Sequence, residues 1–100
     1  MNFRFLLAAA LAATPLLVHA QDSAAARSLA ATCANCHGTE GRSVTTEVAP
    51  LAGLTKDLIV SQMKAFRDGT RPATIMQQIA KGYTDPQIDM IASYFAAQKK

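Results

Sequence analysis

Apolar residues are spread unevenly along this chain, and their spacing changes character several times between its two ends. Phe5 to Val18 form a nearly unbroken apolar run, interrupted only by Thr14 and Pro15. An alanine-rich stretch from about Ala24 to Cys33 follows, with Leu29 as its largest apolar residue. It contains neither Gly nor Pro, which predicts a short helix. From Gly38 to Gly53 the residues show no steady period and end on Pro50-Leu51-Ala52-Gly53, the pattern of an irregular loop. Leu58, Ile59, Met63 and Phe66 then recur at helical spacing. Thr55 is placed to cap this amphipathic helix, Asp57 suits its first turn and Gly69 stops it.

Beyond the break at Gly69-Thr70-Arg71-Pro72, a brief helical turn is expected from about Ile75 to Lys81, ending at Gly82. Thr84-Asp85-Pro86-Gln87 has the form of a capping box with proline in the first turn. It opens a last helix through Ile88, Ile91, Tyr94 and Phe95, with Lys99 and Lys100 suited to its C-terminal end. No segment alternates as a strand would. The fold class is therefore all-α, a small single domain of about four short helices, with no internal repeat and no linker.

The first fifth of the chain reads differently from the rest. Arg4 supplies a positive start, the apolar run follows, and Val18-His19-Ala20 forms a small-residue cleavage site. Residues 1–20 are expected to be a removed export signal, leaving a domain over residues 21–100 in a bacterial periplasm. The apolar run is shorter than the roughly 20 residues of a spanning helix and is broken by Pro15, which argues against a membrane anchor. Removal of Arg4 leaves nine Lys and Arg against seven Asp and Glu, a formal charge of +2. With no arginine-rich run and no basic stretch interleaved with aromatics, the domain lacks the footprint of a nucleic-acid binder. Its positive residues are better suited to orienting a protein partner.

A domain of this size has a marginal core and commonly relies on a disulfide, a metal or a cofactor. A bridge between Cys33 and Cys36 would close a very short loop and constrain the unfolded chain little. Cys33-Ala34-Asn35-Cys36-His37 instead matches C-x-x-C-H, the attachment pattern of c-type haem. On a helical turn, positions i and i+3 face the same way, so two thiols reach the two vinyl groups at one porphyrin edge. The next residue then offers its imidazole to the iron. A structural zinc site wants four Cys or His ligands, and residues 21–100 hold three. A thioredoxin-like redox pair requires a βαβ pattern, which is missing. One covalently bound haem c is the expected cofactor, on Cys33 and Cys36, with His37 as an axial ligand.

For the other axial position, no second histidine remains after the leader, leaving a methionine, a lysine or an open site. Met63 and Met90 each lie one turn from an apolar neighbour on a helical stripe, a ready core role. Met76 follows the break at Pro72 with no stripe beyond Ile79, which favours it over the other two.

These features together resemble the class I c-type cytochromes. The shared pattern is an early C-x-x-C-H-G, a Pro-x-x-Gly-like loop, a later methionine and a C-terminal aromatic helix. Within that class, Phe66 to Met76 followed by Ala80 to Asp85 is similar to the haem subunits of flavocytochrome c sulfide dehydrogenases. The resemblance implies Met76 as the sixth ligand and the Pro50 carbonyl as the acceptor of a hydrogen bond from His37. It also implies that the first and last helices cross through a small residue and an aromatic pair, at positions occupied here by Ala25, Leu29 and Tyr94. The implied function is single-electron transfer without catalysis on this chain, the electrons coming from a flavoprotein subunit that oxidises sulfide. The alternative is a free-standing soluble carrier between periplasmic redox partners, docking through Lys56, Lys64, Arg67, Arg71 or Lys81.

Overall fold

The computed structural model describes the backbone from residue 16 and side chains from residue 24, both to residue 100. The start of the expected leader, through Pro15, lies outside these residues. Five α-helices follow in order: α1 (Leu16–Ala31), α2 (Ala34–His37), α3 (Lys56–Asp68), α4 (Met76–Ala80) and α5 (Asp85–Ala96). A 3-10 turn over Thr39–Gly41 follows α2. No strand occurs among the described residues, in keeping with the all-α expectation, and none of their helices is long and apolar enough to cross a membrane.

α1 starts eight residues before the expected Ala24, because Leu16 to Ala31 contains neither Gly nor Pro to interrupt a helix. The cysteine motif departs from the expectation too. It forms a separate short helix, set off from α1 at Thr32 and Cys33, so five helices replace the expected four.

The two longer helices in the second half are fixed by local chemistry. The Thr55 hydroxyl accepts a hydrogen bond from the Leu58 amide at the start of α3, and Gly69 ends it in the left-handed region, φ 79°. α5 begins with a complete capping box. The Gln87 amide donates to the Thr84 hydroxyl, and the Thr84 amide donates to the Gln87 side chain. Such a cap contributes about 1 kcal/mol. Lys99 and Lys100 lie beyond the last turn of α5, so they are not placed to offset its terminal carbonyls.

The core is made mainly by α5, which packs against both α1 and α3. Ile88, Ile91 and Phe95 are the largest fully buried side chains, each worth about 1.5–3 kcal/mol of apolar burial. Ile59 and Met63 of α3 join them, while Leu58, expected on the same stripe, is exposed. The small residues that α1 and α5 bury in the shared core are Ala30 and Ala92, and not Ala25, which is exposed. Leu29 and Tyr94 are half-buried at the margin of this core, and the Tyr94 and Phe95 rings meet edge to face at 5.2 Å.

Ion pairs tie α3 to α5 on the outside. Arg67 Nη1 lies 2.6 Å and Lys64 Nζ 3.8 Å from the Asp85 carboxylate, and Lys56 Nζ lies 2.9 Å from Asp89. These exposed pairs contribute little individually. They orient the two helices and occupy the cations of α3.

Candidate functional site

Cys33 ends one helical segment and begins another. Its amide donates to the Ala30 carbonyl at the end of α1, and its own carbonyl accepts from the amides of Cys36 and His37 at 3.2 and 2.9 Å. The two thiols therefore sit one helical turn apart, on the same side of that turn. Both are free: Cys33 is half-buried against the hydrophobic core and Cys36 is exposed. Burial pushes the Cys33 thiol up from its ordinary value.

His37 follows directly. Its Nδ1 lies 2.7 Å from the Ala49 carbonyl oxygen. This corrects the expectation that Pro50 supplies the acceptor. The carbonyl belongs to the preceding residue, and Pro50 acts by confining Ala49 to extended backbone, which aims that carbonyl. With Nδ1 donating to this carbonyl, Nε2 is the nitrogen left available to a metal, the tautomer that a metal-binding imidazole uses.

Two glycines make the approach of this loop possible. Gly38 has φ 85°, and a Cβ there would lie 2.0 Å from the Arg42 carbonyl oxygen. Gly41 is buried with φ 80°, and a Cβ on it would meet the Phe95 ring at 2.8 Å and the Ala52 amide nitrogen at 2.9 Å. The Gly41 carbonyl accepts from the amides of Leu51 and Ala52 at 2.8 and 3.1 Å. The segment carrying Ala49 and Pro50 is thereby clamped beside the cysteine helix and against α5.

A second tether was not evident in the sequence. Thr32 Oγ1 donates to the Leu29 carbonyl at 3.2 Å, and the Tyr83 hydroxyl lies 3.0 Å from the same Oγ1. Since the Thr32 proton is committed, Tyr83 is the donor. This bond fixes the residue before Cys33 to the turn between α4 and α5. No local signal marks a pair 51 residues apart.

Met63, Met76 and Met90, the methionines among the described residues, occupy distinct settings. Met63 is in the core at 8% exposure, whereas Met90 lines a surface groove between α1 and α5 with Ala26, Arg27 and Tyr94. Met76 is the first residue of α4, half-buried, and packs against the same hydrophobic cluster that Cys33 borders. The Met76 segment is positioned by its neighbours. The Arg71 guanidinium lies 4.8 Å above the Phe66 ring, and Gln77 Nε2 donates to the Arg71 carbonyl at 3.5 Å.

This donor set suits a porphyrin-borne iron. Among the described residues, no group of three or more His, Cys, Asp or Glu side chains converges to hold an ion directly. Two free thiols at i and i+3, one imidazole with a fixed tautomer, and one thioether facing the shared apolar cluster fit a haem joined through its edge.

No family model matches the chain. Similarity to known proteins nonetheless covers most of it. It is 38% identical over 72 residues to the cytochrome subunit of sulfide dehydrogenase of Chlorobaculum tepidum, covering 72% of this chain and 64% of that one. It is 36% identical over 83 residues to cytochrome c-554(548) of Halomonas halodenitrificans, covering 80% of this chain and all of that protein. Cytochrome c4 of Pseudomonas aeruginosa is 37% identical over 84 residues, which span 83% of this chain and 42% of the c4 chain.

Proposed function

Since the chain belongs to the class I c-type cytochromes, electron-transfer proteins with covalently attached haem c, we propose that its haem is bound by Cys33 and Cys36 through thioethers. His37 and Met76 would ligate its iron. The haem supplies a one-electron iron centre, and the residues of this chain hold it, orient it and set its potential. The single observation that carries the assignment is the 2.7 Å contact between His37 Nδ1 and the Ala49 carbonyl, one residue after the second thiol.

Each residue has a definable task. The i, i+3 thiols fix the porphyrin edge against the half-buried side of α2. The Ala49 carbonyl raises the basicity of the His37 ring and fixes its plane. Met76 would supply a thioether to the iron, a donor that favours the reduced state and raises the potential. A filled sixth position discourages the binding of oxygen or peroxide, so the centre exchanges electrons without taking a substrate.

The wider role follows from the same similarities. The chain acts as a haem subunit in the periplasm, reached by removal of residues 1–20, and takes electrons from a flavoprotein sulfide-dehydrogenase-like subunit. Likeness to the C. tepidum sulfide dehydrogenase cytochrome subunit and the run from Phe66 to Asp85 support this reading. A free-standing carrier is the second reading, favoured by the match along the whole of cytochrome c-554(548). Native mass measurement of chain purified without a tag from its own cells separates them. A stable complex with a flavin-bearing protein is expected for the subunit. A monomer with no flavin at any purification stage establishes the free carrier.

A further inference from the structure

α2 and α4, the helices that carry His37 and Met76, are four and five residues long, and neither is capped by a side chain. Helices this short do not hold themselves in water. α3 and α5, by contrast, are longer and each has a side-chain N-cap. The two short helices also rest on different supports: α4 packs on α3, whereas α2 packs on α1 and the 3-10 turn. What keeps them at a fixed spacing must therefore come from contacts across the fold.

Among the described residues, one side-chain hydrogen bond joins the ends of these supports. The Tyr83 amide donates to the Ala80 carbonyl at 3.3 Å, which ties Tyr83 to the buried end of α4. Its hydroxyl donates across to Thr32 Oγ1 at 3.0 Å, and the Thr32 hydroxyl in turn donates to the Leu29 carbonyl at 3.2 Å. Thr32 directly precedes Cys33, whose amide donates to the Ala30 carbonyl at the end of α1. Tyr83 itself packs against the apolar cluster that Cys33 and Met76 border, so its hydroxyl is presented from a half-buried base.

We propose that Tyr83 is a positioning residue, a strut whose hydroxyl bond to Thr32 fixes the spacing between the cysteine helix and the helix bearing Met76. The inference rests on the ligand assignment above and deepens it. A thioether favours ferrous over ferric iron, so its hold on the ferric centre depends on being kept close. Ligating groups work only when held to within about 0.5 Å of their productive positions. The strut restrains the Met76 segment at its far end, while Gln77 restrains its near end through the Arg71 carbonyl. Tyr83→Phe keeps the ring and its packing but loses the strut.

Imidazole, which reaches the ferric iron only by displacing the Met76 thioether, is the probe, and optical titration of ferric holoprotein reads its affinity. Tyr83→Phe is expected to bind imidazole about 2- to 5-fold more tightly than wild type, the effect of losing one partly exposed hydrogen bond. Thr32→Val removes the other partner and is expected to do the same. The double variant should show no further gain, because the two substitutions break one bond. Thr55→Ala, which removes the cap at the start of α3, lowers the urea midpoint and leaves imidazole affinity at the wild-type value. Wild-type affinity in Tyr83→Phe overturns the proposal, as do effects that multiply in the double variant, since the two residues then act separately. An equal gain in Thr55→Ala overturns it too, since general loosening then explains the result. Wild-type protein without haem, or with an imidazole affinity equal to that of Met76→Ala, contradicts the ligand assignment itself, and the strut falls with it.

Discussion

The Nδ1 of His37 and the carbonyl oxygen of Ala49 lie 2.7 Å apart, joining the cysteine helix to the loop that follows it. The bond determines which imidazole nitrogen is left for a metal. It depends on two neighbours, because Pro50 restricts the Ala49 backbone and Gly41 anchors the loop through Leu51 and Ala52.

Pro50→Ala keeps the Ala49 carbonyl but releases its orientation. A weaker bond to Nδ1 makes the imidazole a poorer donor, so the reduction potential should rise and acid should displace His37 at a higher pH than in wild type. Potentiometric titration and a pH series of absorption spectra report both. Unchanged values would show that the loop is held without Pro50.

Met76→Ala and Met63→Ala should separate a ligand from a core residue. Met76→Ala is expected to lower the potential and let carbon monoxide bind the reduced protein readily. Met63, at 8% exposure, should instead cost about 2–5 kcal/mol of stability through a cavity, with the potential little changed. The reverse pattern in redox titration and denaturant unfolding would exchange their roles.

Gly41→Ala places a methyl group 2.8 Å from the Phe95 ring in a left-handed backbone conformation. A loss of about 1–3 kcal/mol is expected from the backbone alone. Because the loop carries Ala49, the His37 spectrum should change with it. Urea unfolding followed at the haem absorption measures both. Wild-type stability would mean that the loop relaxes without consequence.

Arg67 beside Asp85 holds that carboxyl below the usual carboxylate range, with Lys64 adding to the effect. A carboxyl depressed in the folded state contributes stability above its unfolded value, near pH 4, and loses it as pH falls through the lower folded value. Asp85→Asn should therefore be less stable than wild type at neutral pH and converge with it as pH falls below the lowered folded value of the carboxyl. Both groups are at the surface, so the effect is modest and fades with salt. Thermal unfolding across pH 2 to 7 is the check, and a difference that persists unchanged in acid would assign the effect to the helix start instead.

Elements whose causes are local in sequence were legible. α3 and α5 were readable from Thr55, Gly69 and the Thr84–Gln87 box, because each cap is made within three or four residues of itself. The placement of Cys33, Cys36 and His37 within one helical turn was equally plain from spacing. What failed was chosen by distant partners. Ala25 and Ala30 look alike in an alanine-rich helix, and only the packing of the rest of the fold decides that Ala30 is the one buried in the core. Ala49 and Pro50 differ by one residue, and the loop clamp at Gly41 decides which carbonyl reaches His37. The Tyr83–Thr32 bond and the pairing of three α3 cations are likewise contacts across the fold. The start of α1 was missed for another reason, since a run without Gly or Pro carries no internal stop.

The account rests on a covalent link, and denaturing mass spectrometry of chain exported to the periplasm tests it most directly. One haem mass added to the polypeptide, with colour that survives acid-acetone and neither cysteine open to alkylation, is the predicted result. A polypeptide at its bare mass, with Cys33 and Cys36 both alkylated, would contradict it.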